Sequence, residues 1–301
     1  MGNFIKRTIS GVVFAAVMLF AFLSNYVLEH FGMHDYATVQ LCSKLIFGVV
    51  FLFALIVMMK EFLSMTCGNN YKYSQLLSIL SGATLFVLVF LYTALKVIPG
   101  RLVVLAFIPV FILMINSLYE KSRERFDMFA NLYTAILYIA VPWSLMNFAI
   151  INAGNFDGRL LLCFFCIIWG SDVGAYLFGI TLGQKYGKKL FPSISPKKSW
   201  IGFWGGMFLA IAVTLVLYYT NVLPLAEGSY NLIHCIAIGV LIDVAGVYGD
   251  LIESQWKRHY NVKDSGTIIP GHGGLLDRFD SALIAIPVAI IYLVMIDSLF
   301  C

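Results

Sequence analysis

From Gly249 to Ser281 the sequence crowds acids, bases, glycines and a histidine together. It reads Gly249-Asp250-Leu251-Ile252-Glu253-Ser254-Gln255-Trp256-Lys257-Arg258, then Lys263-Asp264-Ser265-Gly266, then Pro270-Gly271-His272-Gly273-Gly274, and ends Leu275-Leu276-Asp277-Arg278-Phe279-Asp280-Ser281. Asp243, Asp250, Ser254 and Lys257 follow one another at helical spacing and share a face. A carboxylate one turn below a hydroxyl and a cation forms a ladder suited to a metal ion and a phosphate. Asp277 and Asp280, three apart at the start of a helix, share a face in the same way. Two carboxylates on one helix and a third on its neighbour can hold a divalent cation through oxygen. Mg²⁺ favours this use of few carboxylates completed by substrate phosphates. The turn Pro270 to Gly274 carries little side-chain bulk, so backbone can approach a ligand, and the helix start after it offers N–H groups to an anion. An interfacial loop with capping aspartates accounts for any one of these residues but not for the ensemble.

A second group surrounds Asp172, which lies mid-span in Gly170-Ser171-Asp172-Val173-Gly174-Ala175-Tyr176. An ionisable residue there is costly and points to function, with pairing to a neighbouring helix as the bland alternative. Lys185, Lys188 and Lys189 read mainly as topology signal. Lys197, Lys198 and Ser199 instead abut a helix start, where cations, a hydroxyl and backbone N–H groups converge on an anion. Gly183 to Lys189 is one residue short of a Walker A loop and lacks its Ser or Thr. Gly202 and Gly206 read as helix packing.

The elements that must position these residues are membrane helices. The chain has 301 residues, 60% hydrophobic and 12% charged, against about 25% charged in soluble domains. Its mean hydropathy is +0.88. This predicts an all-α polytopic integral membrane protein of about nine transmembrane helices, near 9–28, 38–59, 76–95, 102–118, 132–150, 160–182, 200–220, 232–250 and 282–300. With the N-terminus cytoplasmic, 16 of the 20 Lys and Arg fall on the inner side, leaving Lys44, Lys96, Arg101 and Arg159 outside. Residues 1–150 form a scaffold of about five helices. Residues 151–301 carry the chemistry, with cytoplasmic loops at 183–199 and 251–281. The six cysteines are scattered through apolar runs and read as packing.

The run Ser254-x-x-Lys257-Arg258-x₄-Lys263-Asp264-x-Gly266-x₃-Pro270-x-His272-Gly273-Gly274-x-x-Asp277-Arg278-x-Asp280 resembles the signature of the phosphatidate cytidylyltransferases, or CDP-diacylglycerol synthases, without departure. Ser195-Pro196-Lys197-Lys198-Ser199-Trp200-x-Gly202-Phe203-x-Gly205-Gly206 is similar to that family's second motif, with Ile201 where many members carry Glu or Gln. The resemblance covers roughly residues 165–285. It implies transfer of the cytidylyl group of CTP to phosphatidate, giving CDP-diacylglycerol and pyrophosphate, with one or two Mg²⁺ ions. By position it implies Asp250, Asp277 and Asp280 as metal-binding carboxylates, acting in catalysis with Lys257 and Arg258. Substrate contacts are expected from Lys197, Lys198, Ser199, Ser254, Lys263, His272, Gly273, Gly274, Arg278 and Asp172. CTP and phosphatidate are the expected partners, in a bilayer and without nucleic acid, with a homodimer left open. By analogy the short N-terminus looks more bacterial than eukaryotic, and phosphatidate in the inner leaflet with CTP in the cytosol sets the expected site at the cytoplasmic face of the inner membrane. The rivals are a CTP-dependent polyprenol kinase and, further off, an ion-coupled transporter.

Overall fold

The computed structural model describes residues 2–119, 128–227, 231–271 and 273–300. Among these residues nine helices are long and apolar enough to cross a membrane. They run Thr8–His30, Tyr36–Cys67, Lys72–Thr93, Gly100–Ser117, Phe129–Ile150, Arg159–Tyr186, Trp200–Tyr219, Leu232–His259 and Leu276–Ile296. The protein is an all-α polytopic membrane protein, as the apolar periodicity leads one to expect. Lys121, Arg123, Arg125 and His272 lie outside the described residues.

The chain divides into two compact units. Met1–Gly158 with Val262–Arg278 make the first, and Arg159–Asn261 with Phe279–Cys301 make the second. The signature segment 262–278 therefore clusters with the N-terminal half, whereas the sequence reading grouped it with residues 151–301.

In the first unit, α1 (Gly2–His30), α2 (Tyr36–Cys67) and α3 (Lys72–Thr93) are followed by α4 (Phe107–Ser117), α5 (Met128–Ala135) and α6 (Val141–Leu145). Asp35 caps α2, accepting the Thr38 N–H at 3.0 Å and the Thr38 hydroxyl, contacts that hold its carboxyl below the usual range. Aromatic rings fill the centre: Phe51 stacks on Phe47 at 4.0 Å and on Trp143 at 4.8 Å, and the Trp143 indole N–H donates to the Phe51 carbonyl at 2.8 Å. Pro142 has no N–H to give to the preceding turn, and the ladder widens into a π-turn at Ile136–Ala140. A short ribbon, β1 (Ile151–Asn152) and β2 (Asn155–Phe156), closes this stretch.

In the second unit, α7 (Arg159–Phe178) runs through a π-turn at Gly179–Gly183 into α8 (Gln184–Tyr186). An antiparallel hairpin, β3 (Lys189–Phe191) and β4 (Ser195–Ser199), leads into α9 (Trp200–Tyr219). The loop expected at 183–199 is thus largely ordered backbone. Glycines bring α7 and α9 into close contact: a Cβ on Gly174 would meet the Gly205 carbonyl, and one on Gly170 would lie 2.7 Å from Val213.

The eighth span, α10 (Leu232–His259), outlasts its apolar run by about two turns, so the loop expected over 251–281 narrows to the stretch between Tyr260 and Leu275. An i,i+4 ion pair between Glu253 and Lys257 and the basic residues Lys257, Arg258 and His259 in the last turn favour that extension. The last span, α11 (Leu276–Phe300), begins earlier than the hydropathy, placing Asp277 and Asp280 on helix.

Candidate active site

In the second unit, α10 and α11 approach closely because Gly249 has no side chain: a Cβ there would lie 2.6 Å from the Asp280 carbonyl. Asp280 is thereby set beside the turn of α10 that carries Asp250. Asp250, Asp172 and Asp280 act on one another electrostatically, as do Asp172 and Asp243. Four carboxylates from three helices therefore gather in one region. Such a cluster needs cations, and Lys198 supplies one, with Nζ 2.6 Å from the Asp250 Oδ2. Asp250 Oδ1 accepts the Ser254 hydroxyl at 3.1 Å, one turn along the same helix, as the spacing required. Asp280 Oδ1 accepts the Ser281 N–H at 2.6 Å.

Of these, Asp172, Asp250 and Lys198 line a cavity of about 630 Å³. The lining combines the polar Asp172, Asp250, Lys197, Lys198 and Ser199 with the apolar Ile180, Leu190, Phe203 and Val247. The charged residues of that lining can meet phosphates and the apolar ones hydrocarbon. A larger cavity of about 730 Å³ in the first unit is lined by Leu85, Val104, Phe107 and Leu137. Among the described residues Arg101 is the one charged group in that lining and no carboxylate joins it, so the carboxylate-and-lysine set of the first cavity has no counterpart there.

Asp243 is buried, and its Oδ1 accepts the Ser171 hydroxyl at 2.5 Å. It shares the α10 face with Asp250 but is tied into the contact between helices. Ser199 caps α9, accepting the Gly202 N–H at 3.2 Å, and is itself buried. Lys197 is exposed. Lys257 pairs with Glu253, a buried acid that the sequence reading did not single out. Arg258 is exposed and its Nε donates to the Ile194 carbonyl at 3.4 Å.

In the first unit the signature segment is organised by two carboxylates. Asp277 accepts the Ser265 N–H at 3.0 Å and the Gly274 N–H at 2.7 Å. Glu61, on α2, accepts the Leu275 N–H on Oε1 at 3.0 Å and the Leu276 N–H on Oε2 at 2.9 Å. The N–H groups expected to receive a substrate anion at the start of α11 are thus taken by protein carboxylates, which the helix dipole favours in that position. Gly273, at φ +86°, lies where a Cβ would be 2.8 Å from the Asp277 carboxylate. Lys263 and Arg278 are exposed. Glu61 was legible as an acid next to Phe62 and Leu63 at the end of an apolar run, which is a functional signal by default. Lys60 beside it made the pair look like ordinary interfacial charge.

Among the described residues no three His, Cys, Asp or Glu side chains are already arranged to hold a metal ion. The donors are nevertheless hard oxygens, with Asp250 and Asp280 from two packed helices and Asp172 at the cavity wall. That set fits a cation bound through few carboxylates and completed by phosphate oxygens.

Among similar proteins, a phosphatidate cytidylyltransferase of Staphylococcus haemolyticus (strain JCSC1435) is 35% identical over 185 residues, which are 61% of this chain and 66% of that protein. One of Bacillus subtilis (strain 168) is 37% identical over 186 residues, 61% of this chain and 65% of that protein. The chain spans just under two thirds of the length of these relatives. The model of the Cytidylyltransferase family matches residues 5–296, nearly end to end, and the chain belongs to that family.

Proposed function

We propose that the protein transfers the cytidylyl group of CTP to phosphatidate, forming CDP-diacylglycerol and pyrophosphate at the cytoplasmic face of a bacterial inner membrane. The observation that carries this reading is the mixed lining of the cavity, in which Asp172, Asp250, Lys197 and Lys198 share one space with Ile180, Leu190, Phe203 and Val247. A phospholipid headgroup with its acyl chains needs both kinds of lining, and a nucleoside triphosphate needs the charged groups. The relatives' names and the family point the same way.

In the reaction a phosphate oxygen of phosphatidate attacks the α-phosphorus of CTP. The bond from that phosphorus to the bridging oxygen breaks, and pyrophosphate leaves with the electron pair. The attacking oxygen is already anionic at neutral pH, so no protein base is needed. The difficulty is to bring two anions together and to stabilise the departing charge. Lys198, held by Asp250 at the cavity wall, is placed to neutralise a phosphate, and Lys197 adds a second cation beside it. Both stand on the strand that leads into α9, so positioning comes from ordered backbone.

Asp250 and Asp280 are the carboxylates that would hold a divalent ion, Mg²⁺ by preference. Asp277 is carried as a further oxygen donor on the sequence alone. When bound, the ion supplies Lewis-acid stabilisation of phosphoryl charge. Until substrate and ion arrive, the Ser254 hydroxyl and the Lys198 ammonium hold Asp250 in place.

Purified protein in lipid nanodiscs, given phosphatidate, Mg²⁺ and CTP labelled in the α- or γ-phosphate, tests the assignment by thin-layer chromatography. Label from the α-phosphate should enter the lipid and γ-label should leave as pyrophosphate. Entry of γ-label with release of CDP would instead mark a kinase and overturn the assignment.

A further inference from the structure

Glu61 lies in the last two turns of α2, far in sequence from the signature segment, yet it is buried and both of its carboxylate oxygens are engaged there. The two partners are consecutive backbone N–H groups, Leu275 and Leu276, where α11 begins. Each N–H is taken by its own oxygen, an arrangement that a carboxylate supplies and an amide, with a single oxygen, does not. The surrounding residues are shaped to this group. A Cβ on Gly266 would run into Oε1, and one on Gly274 would lie 2.8 Å from Oε2. Gly274 in turn donates its N–H to Asp277, which also holds Ser265. Glu61 and Asp277 thus share one backbone turn, each fixing the piece the other leaves loose.

We propose that Glu61 is a positioning residue for cytidylyl transfer. By gripping the Leu275 and Leu276 N–H groups, it sets the turn at Gly274–Leu276 and orients the Asp277 carboxylate, which in turn holds the Ser265 N–H. This inference rests on the activity proposed above and deepens it. The role is electrostatic and geometric together. The carboxylate fills the positive end of α11, and its two hydrogen bonds to one turn leave that turn a single orientation. Loss of either bond frees the segment without removing any residue expected to touch substrate.

Full-length protein in nanodiscs, as wild type, Glu61→Gln and Gly266→Ala, tests this with two readouts. Gln offers one acceptor and presents an NH₂ to a backbone N–H. The added methyl of Gly266→Ala displaces Glu61 while keeping every charge. Both variants should exchange the hydrogen-bonded amides of Ser265, Gly274, Leu275 and Leu276 with deuterium at least tenfold faster, and exchange in the other helices should match wild type. Both should also lose at least tenfold in kcat with little change in KM for CTP. Substitution of the exposed Glu29 by Gln should change neither readout. Amides that stay protected, or amides that open while kcat remains that of wild type, overturn the proposal. So does general unfolding of both variants, which would assign Glu61 to stability alone. Wild-type protein that makes no CDP-diacylglycerol would sink the underlying activity, an outcome distinct from failure of the variants.

Discussion

At the scale of single residues, the site rests on how Asp250 is held. Its two oxygens are divided between a cation, Lys198, and a hydroxyl, Ser254, so its charge is balanced before any ligand arrives. Replacing it by Asn keeps the shape and removes the charge that both partners and any divalent ion require. We expect Asp250→Asn to lower kcat by about 10²–10³, the scale of losing one preorganised electrostatic group. The fall should appear in the α-labelled lipid assay while thermal unfolding in nanodiscs stays near wild type, because Lys198 at the cavity wall can be solvated. Loss of folding in place of turnover would make the aspartate structural. Lys198→Met should act differently, raising KM for the anionic substrates as well as lowering kcat. Helical spacing made the Asp250–Ser254 pair readable from sequence. It could not separate Asp243 from Asp250, since both lie on one face. Only the packing of Ser171 against α10 shows that Asp243 is tied up between helices.

At the scale of elements, the positions of the nine spans were readable because their apolar runs are long and interrupted by charge. Their ends were less so. Hydropathy alone ended the eighth span near 250, but α10 continues to His259 because Glu253 pairs with Lys257 and the last turn is basic. The hairpin of β3 and β4 also left little trace, since Pro196 and three lysines read as loop. The glycine contacts between α7 and α9 were partly visible as Gly202-x-x-x-Gly206, although closer ones join Gly174 to Gly205 and Gly205 to Phe178. Gly174→Ala pushes a methyl into the Gly205 carbonyl, and overpacking of that kind costs about 1–3 kcal/mol. A fall of several degrees in the unfolding temperature is expected, on the scale of ~2–4 °C per kcal/mol. Val173→Ala, at an exposed neighbour, should leave it unchanged. Equal effects from the two changes would mean that α7 and α9 are not held by close glycine contact.

At the scale of the whole molecule, what governs function is where the charge lies relative to the bilayer, a question that composition and hydropathy answer only as far as membrane residence. The proposed orientation rests on the bias of Lys and Arg: a cytoplasmic N-terminus puts 16 of the 20 on the inner side of the expected spans. The proposed reaction demands the same bias, because CTP is cytosolic and a site on the outer face would never meet it. Lys188 and Arg101 are both exposed and stand on opposite sides of this assignment. In a cysteine-free background, Lys188→Cys should react with a membrane-impermeant maleimide in inverted vesicles and stay silent in intact spheroplasts. Arg101→Cys should show the reverse. The bias is strong enough that a single charge change at either position should not flip the protein, since fifteen basic residues would still favour the inner side after loss of Lys188. Labelling of position 188 from outside would place Lys197 and Lys198, a few residues further along the same loop and hairpin, on the face that CTP does not reach. Lipid phosphate could still bind there, but cytidylyl transfer from cytosolic CTP could not occur.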